Sequence, residues 1–313
     1  MAFDDGPTFE EPAQPYGQDF TVSWTGLVSR TFTLWGRKLA QYIMIAFIPL
    51  LIFTLIEYAV LYLFYGSLAY LYIGSIATDP FTLILNIFLL TSDITFILIT
   101  VIITITSVII SAIVAGAIYK FALDNYGAPD RGDVRESFSY ASGRIVKLIL
   151  VQLIISGISI GFMIPGIILL FLSVLTFDLT LIMTAFAAIA IGGLVSFYIT
   201  VRLAVAPVLV MAEENSVMDS IRRAYALAAG QFWHIFAGQI LLALAVGVLG
   251  MIVGFLSLPL LIILGSSPMG ALITYFLIAV IAGIFFTPLT YIFHAVLYRD
   301  LASRSEVTQQ AWW

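Results

Sequence analysis

The amino-acid sequence predicts an all-α integral membrane protein. Six transmembrane helices are expected to form three parallel two-helix repeats, each preceded by a cytoplasmic amphipathic interfacial helix. The prediction comes from the composition, the lengths of the apolar stretches and the one-sided distribution of basic residues. Of the 313 residues, 62% are hydrophobic and 10% are charged, whereas a soluble domain carries roughly 25% charged residues. With so few polar side chains to face water, the chain needs a bilayer as its solvent.

Six apolar stretches exceed the roughly 18 to 20 residues that cross about 30 Å of hydrocarbon as a helix. They lie at about residues 41–64, 94–119, 148–172, 182–206, 237–262 and 271–296. Residues 81–90 are also apolar but are too short to cross, because polar residues and Pro80 punctuate their flanks. We interpret this short segment as an outer interfacial helix, and a re-entrant segment is the alternative.

Basic residues predict the orientation. With six spans, every Lys and Arg falls on one side of the membrane, with Arg202 within snorkelling reach of that side. The loops on the other side contain Asp79, Asp93 and Asp178 but no basic residue. Because Lys and Arg are enriched in cytoplasmic loops, we expect both termini in the cytoplasm and a location in the plasma or inner membrane. An odd number of spans would destroy this asymmetry.

The predicted domain organisation has three parts. Residues 1–20 are acidic and proline-rich, which predicts a disordered tail. Residues 21–304 form the membrane domain, and residues 305–313 form a C-terminal tail. The repeats within the membrane domain are expected at about 21–120, 130–212 and 213–300.

Three similar segments suggest the repeat. Each has an aromatic residue, then a glycine four to five residues later, a polar residue and an apolar span. The glycines are Gly36, Gly143 and Gly230, and we expect each to let the chain turn into the membrane without a Cβ penalty. Two of the segments follow predicted helix starts, where Asp133 precedes Glu136 and Ser216 precedes Asp219 at the spacing of a capping box.

Basic side chains near these segments lie at the predicted depth of the lipid headgroups. We expect them to contact headgroups. The set comprises Arg37, Lys38, Arg144, Lys147, Arg202, Arg222 and Arg223. For Arg202, an ion pair with Glu213 or Glu214 at the inner interface is the alternative.

Glu57 and a stripe of hydroxyl side chains are the polar groups expected inside the membrane. No basic residue is available at the depth of Glu57, so we expect it to be neutral, hydrogen-bonded, wetted by a cavity or holding an external cation. The stripe occupies one face of the second span and comprises Thr100, Thr104, Ser107 and Ser111. It could line a pore, but close approach of another helix is the simpler interpretation.

Small residues recur at four-residue spacing in other spans as well. The sets are Gly157 with Gly161, Ala188 with Gly192 and Ser196, and Gly250 with Gly254. Such spacing favours tight helix packing in membranes, so we expect the spans to pack closely at all three sets.

The sequence shows no assembled catalytic or metal site. It contains no cysteine and only two histidines, and no zinc, nucleotide or nucleophile-elbow motif occurs. We therefore expect no metal, no cofactor and no catalytic residue. The only plausible set for headgroup chemistry comprises Arg202, Glu213, His234 and His294. The net charge of -5 and the lack of a long basic run argue against nucleic-acid binding.

Several stretches in the second half share the order of motifs of a known family. They are Ile164-Pro165-Gly166-Ile167, Val201-Arg202-Leu203, Pro207 to Val210, Glu213-Glu214, residues 220–227, Gly230 with Trp233 and Phe236, and Leu297 to Leu301. This order resembles the membrane domain fused to some glycerophosphoryl diester phosphodiesterases, and its free-standing relatives. The resemblance covers about residues 130–304 and implies the membrane part without the soluble catalytic barrel. The stretch from Pro165 to Pro207 is longer than the family pattern leads us to expect.

These observations lead to one main functional hypothesis. We expect a non-catalytic multi-pass membrane protein that acts as a lipid-interacting scaffold or as an accessory subunit of a membrane assembly. Its expected partners are membrane lipids, together with other membrane proteins or a second copy of the chain. The alternative is a small-solute or ion transporter that uses Glu57 and the hydroxyl stripe, and a lipid headgroup enzyme is less favoured.

Overall fold

The computed structural model describes residues 20–76, 94–127, 131–176, 178–213, 215–264 and 268–310. These residues form helices and contain no strand. The helices are α1 (Trp24–Arg37), α2 (Leu39–Ile76), α3 (Ile94–Gly127), α4 (Val134–Ser142), α5 (Ile145–Thr176), α6 (Leu179–Arg202), α7 (Ala206–Ala212), α8 (Val217–Leu227), α9 (Phe232–Leu264) and α10 (Pro268–Gln310).

Six stretches of the described residues are long and apolar enough to cross a membrane. They are Leu39–Glu57, Val101–Tyr126, Ile145–Ser173, Leu179–Ala212, Phe232–Leu260 and Phe276–Ser305. Each coincides with one of the six apolar stretches in the sequence. Within the described residues, the prediction of an all-α chain with six helices long and apolar enough to span a membrane is therefore confirmed.

Two helices are longer than the hydropathy of the sequence predicts. Helix α2 continues to Ile76, although its predicted span ends at residue 64, and α10 continues to Gln310, beyond the predicted end of the membrane domain at 304. Backbone hydrogen bonds within a helix need no apolar side chains, so a helix can continue where hydropathy falls. The predicted acidic tail, apart from Phe20, and the short segment 81–90 lie outside the described residues.

Successive long helices run in alternating directions, and the main core lies at one end of them. We call this the basic end, defined by residues 20–46, 112–151, 198–242 and 289–305, because it contains every Lys and Arg of the chain. Large side chains with almost no exposed surface fill it. They include Tyr42, Phe121, Leu209, Met211, Ile235 and Phe293. Each of the six spanning stretches has one of its ends here. A single shared core therefore holds these six ends together.

Helix α7 lies inside that core. Its side chains are almost completely buried, at Ala206, Val208, Leu209, Val210 and Met211. Proline is tolerated in the first turn of a helix, where the backbone N–H would lack an intrahelical acceptor in any case. Pro207 therefore starts a buried apolar helix, and the apolar residues that follow it explain the burial.

Local helix-start signals are confirmed. The Asp133 carboxylate accepts a hydrogen bond from the Glu136 backbone N–H at 2.8 Å, and the Ser216 hydroxyl accepts one from the Asp219 N–H at 3.2 Å. The Ser23 hydroxyl caps α1 in the same way by accepting from the Gly26 N–H at 3.1 Å. Short helices α1, α4 and α8 thus each begin at a side-chain cap and end shortly before a long apolar helix.

Only one of the three predicted glycine turns needs a glycine. Gly230 has φ of +73°, a left-handed conformation that glycine adopts at no steric cost. Gly143 has φ of −66°, which any residue adopts, and Gly36 lies within α1, whose end is at Lys38 instead. The prediction was wrong for Gly36 and Gly143 because a helix end need not have a left-handed residue.

Helices α5 and α6 pack tightly on each other. A Cβ atom at Gly192 would overlap the carbonyl oxygen of Phe162, and one at Gly166 would overlap Ile189. The Ser196 hydroxyl donates a hydrogen bond to the Ser159 carbonyl. The predicted close approach at Gly192 and Ser196 is therefore confirmed, with the small residues letting the two backbones meet.

The same prediction was wrong for other glycines at that spacing. A Cβ atom at Gly157, Gly161 or Gly254 would have no neighbour within 4 Å, and one at Gly250 would only reach the Phe286 ring at 4.0 Å. Spacing places two glycines on one face of a helix, but it does not show which face meets a neighbour. Gly157, Gly161 and Gly254 lie on faces that no described part of the chain covers, and Gly250 only touches one aromatic ring.

Candidate functional site

The most buried charged group at the basic end is the carboxylate of Asp300 in α10, whose side chain is 0% exposed. One oxygen, Oδ1, accepts a hydrogen bond from the Val22 backbone N–H at 2.7 Å. The other, Oδ2, lies 2.9 Å from His234 Nε2, and Arg304 Nε lies 3.0 Å from Oδ2 and 3.1 Å from Oδ1. Arg304 also donates to the Val22 carbonyl at 2.6 Å.

This arrangement joins three distant parts of the chain. Val22 precedes α1, His234 lies in the first turn of α9, and Asp300 and Arg304 are one turn apart in α10. A buried carboxylate is tolerated when hydrogen bonds and an opposite charge compensate its lost hydration. Through these contacts, Asp300 holds the segment before α1 against α9 and α10.

A second carboxylate, Glu213, connects the end of α7 to α8 and α10. Its Oε2 lies 2.8 Å from Arg223 Nε and accepts from Asn215 Nδ2 at 2.9 Å, while its Oε1 accepts from the Tyr298 hydroxyl at 2.8 Å. The predicted pairing of Arg202 with Glu213 was wrong. Arg223 takes that carboxylate because α8 folds back alongside the end of α7. Glu214 lies outside the described residues.

Arg202 instead contacts aromatic residues. Its guanidinium lies 3.6 Å from the centre of the Tyr225 ring, and it donates hydrogen bonds to the Tyr225 carbonyl at 3.1 Å and to the Tyr198 hydroxyl at 3.2 Å. A planar guanidinium stacks on an aromatic face while its edge donates to oxygen. Arg202 thus joins the end of α6 to α8.

Other basic side chains bind the last carbonyls of the buried helix α7. Arg144 donates to the Val210 carbonyl at 3.0 Å, and the Tyr140 hydroxyl donates to the Met211 carbonyl at 3.2 Å. The Arg144 guanidinium also lies 4.1 Å from the Tyr140 ring centre. Final carbonyls of a helix have no intrahelical donor, so a buried helix end needs such partners. Lys147 donates to the Asn215 carbonyl at 3.3 Å, just beyond α7.

The seven basic residues selected from the sequence therefore have different surroundings. Four of them bind other parts of the protein, as the preceding paragraphs describe: Arg144, Lys147, Arg202 and Arg223. Arg37 and Arg222 are exposed, and no hydrogen bond or ion pair to them is seen within the part of the chain that the structure describes. Lys38 is partly buried. Arg131 and Arg135, which sequence reasoning did not select, are exposed as well.

The predicted intramembrane groups have separate surroundings. Glu57 is half-buried in α2. In α3, Thr104 is exposed, the Ser107 hydroxyl donates to the Thr104 carbonyl at 2.8 Å, and Ser111 is partly buried. The side chain of Thr100 lies outside the described residues. Among those that are described, no hydrogen bond joins Glu57 to the stripe.

The four residues considered for headgroup chemistry are held in four different contacts. Arg202 stacks on Tyr225, Glu213 pairs with Arg223, and His234 binds Asp300. His294 Nδ1 lies 3.5 Å from the Tyr119 hydroxyl. Within the described ranges, no group of three or more His, Asp or Glu residues is placed to hold a metal ion.

Sequence reasoning missed the residues that contact the Asp300 carboxylate. Arg304 follows Asp300 by four residues, and that spacing on a helix signals an ion pair. No comparable signal exists for Val22 or His234, because each comes from a distant part of the chain.

Comparison of the chain with protein-family models, with curated proteins and with solved structures finds no match in any of the three.

Proposed function

We propose that this protein is a non-catalytic membrane scaffold whose basic end faces the cytoplasm and contacts the headgroups of anionic lipids. The observation that carries the proposal is the division of the basic side chains at that end. Those that bind carbonyls, carboxylates and aromatic rings build the scaffold. Exposed Arg37 and Arg222 have charges that the described part of the protein does not neutralise.

The short helices α1, α4 and α8 are the interfacial helices of this proposal, one for each two-helix repeat. Helix α8 supports the idea best. Its Ser220, Ile221 and Ala224 are buried in the core, while Arg222 and Tyr225 on other faces are exposed. A helix with one face on a protein core and with basic and aromatic side chains outside suits the headgroup region of a bilayer.

Chemistry is less well supported as a function because the candidate polar residues already serve as structural contacts. His234 and Glu213, for example, each bind a partner in a different helix. Transport through Glu57 and the hydroxyl stripe is also less well supported, since Thr104 is exposed and Ser107 bonds back to its own helix.

The proposal is tested by comparing Arg222 with its neighbour Arg223. The protein is placed in nanodiscs of equal parts phosphatidylglycerol and phosphatidylcholine, and spin-labelled lipids of each kind report which one it immobilises. Each basic residue near an anionic surface contributes about 1 kcal/mol. Arg222→Gln should therefore lower the preference for phosphatidylglycerol by up to about fivefold, and adding Arg37→Gln should lower it by up to about the same factor again.

Arg223→Gln is the matched control. It removes the same charge from the adjacent position, but Arg223 is already paired with Glu213, so the lipid preference should change much less. The proposal is abandoned if the double variant keeps the full preference of the unaltered protein, or if Arg223→Gln alone lowers it as far as Arg222→Gln alone.

A further inference from the structure

An apolar groove lies between the first residue of α1 and the first turns of α9. Its volume is about 340 Å³. Aromatic and aliphatic side chains line it: Trp24, Trp233, Phe236, Ala237, Ile240, Leu241 and Leu244. None of the basic-end contacts described above uses these side chains, so the groove is a separate feature of the surface.

The groove is continuous with the surface that faces the hydrocarbon. Helix α9 supplies the spanning stretch Phe232–Leu260. Along one face of this helix, Ile240 is 42% exposed, Leu244 62% and Val248 51%. These side chains need an apolar environment, which the hydrocarbon of the bilayer supplies around a membrane-spanning helix. The groove therefore opens sideways into lipid.

Its length and lining indicate the kind of molecule that fits. From Trp233 to Leu244 the lining residues follow α9 for roughly 16 Å at about 1.5 Å per residue, which is about half of the roughly 30 Å hydrocarbon thickness. The groove therefore spans the depth of one leaflet, and its entirely apolar lining suits an aliphatic chain.

We propose that this groove holds one acyl chain of a glycerophospholipid from the leaflet at the basic end. The placement of that end at a membrane surface rests on the function proposed above. Trp24 and Trp233, which are 47% and 74% exposed, lie at the entrance, where indole rings favour the headgroup boundary. The chain runs from there along Ala237 and Leu241 towards Leu244.

The experiment uses the full-length protein in nanodiscs of phosphatidylcholine that carries a diazirine in the middle of one acyl chain. After irradiation, peptide mass spectrometry locates the labelled residues. A bound chain should label residues 233–244 in preference to other exposed stretches of the spanning helices. Ala237→Trp fills the groove and should reduce this labelling about tenfold.

Two further variants keep the result interpretable. Ala243→Trp makes the same change on an exposed face of α9 that does not line the groove, and it should leave the labelling unchanged. Leu244→Trp narrows the open end at an exposed position, away from the core, and should reduce labelling even if Ala237→Trp misfolds.

Three outcomes would overturn the proposal. Labelling spread evenly over the exposed helices, or lowered equally by Ala243→Trp, would mean that only bulk lipid touches α9. Loss of lipid labelling at residues 233–244, together with crosslinks formed there between two protein copies by an added bifunctional reagent, would mean that a second copy occupies the surface. Phosphatidylcholine carries no net charge, so the Arg37→Gln and Arg222→Gln variants should keep the labelling. Failure of the acyl-chain proposal can therefore be distinguished from failure of the headgroup proposal.

Discussion

Replacing Asp300 with asparagine is expected to destabilise the protein strongly, because its carboxylate is the hub of the basic end. The side chain is 0% exposed and contacts His234, Arg304 and the Val22 N–H. Breaking a buried ion pair costs about 3–5 kcal/mol. Asparagine keeps an oxygen for Val22, and Arg304 is 30% exposed, so water offsets part of the loss. We expect the free energy of unfolding to fall by about 2–3 kcal/mol.

The change is measured by unfolding the protein in mixed micelles with increasing sodium dodecyl sulfate, followed by circular dichroism. Asp124→Asn is the control, since Asp124 pairs with Lys120 within α3 at 2.7 Å but is 25% exposed. It should cost less than about 1 kcal/mol. A second measurement is local: hydrogen exchange at residues 21–28 should accelerate in Asp300→Asn, because Val22 loses its charged acceptor.

The reasoning about Asp300 is refuted if both asparagine variants lower the free energy of unfolding equally. It is also refuted if Asp300→Asn leaves exchange at residues 21–28 unchanged. Either result would mean that the N-terminal segment is held by apolar contacts alone.

Two other predictions concern packing. Gly192→Ala should lower the free energy of unfolding by about 1–3 kcal/mol, because its Cβ would overlap the Phe162 backbone. The control, Gly161→Ala, places its Cβ in open space and should cause no loss. Equal effects of the two variants in the same unfolding assay would contradict the packing of α5 on α6. Leu209→Ala in the buried helix α7 should cost about 2–5 kcal/mol by leaving a cavity, while Leu194→Ala, at a side chain that is 70% exposed, should change stability by less than about 0.5 kcal/mol. A mild effect at Leu209 would show that α7 is not part of the core.

The six long apolar helices of the described residues could be predicted from the sequence because they depend on hydropathy over about twenty residues, which is a local property. The helix starts at Asp133 and Ser216 could be predicted for the same reason, since a cap and the N–H it accepts from are only three residues apart. Each predicted span overlaps one of the long apolar helices, although their ends differ by up to 9 residues.

The contacts between helices could not be predicted in this way. Arg202 and Arg223 are both near Glu213 in the sequence or in the predicted topology, and only the position of α8 decides which of them forms the pair. Gly161 and Gly192 have equivalent spacing, yet only Gly192 faces a neighbouring backbone. Such choices depend on which helix faces meet, and that information is distributed over the whole chain.

The burial of α7 shows a further limit. Its sequence, Ala-Pro-Val-Leu-Val-Met-Ala, is an apolar run that begins with a proline, and it is equally compatible with the end of a span and with a short core helix. The carbonyls at its end needed donors, and Tyr140 and Arg144 supply them from a distant segment. No local pattern around Pro207 could reveal those donors.

The central claim is that the membrane is crossed an even number of times, with the basic end inside the cell. Because the chain has no cysteine, single cysteines can be introduced at the exposed positions Ser139, Ala229 and Thr180 and treated with a membrane-impermeant maleimide in intact cells. We expect Thr180→Cys to react at once, and Ser139→Cys and Ala229→Cys to react only after the membrane is permeabilised. Reaction of Ser139→Cys and Thr180→Cys from the same side would contradict the proposed architecture.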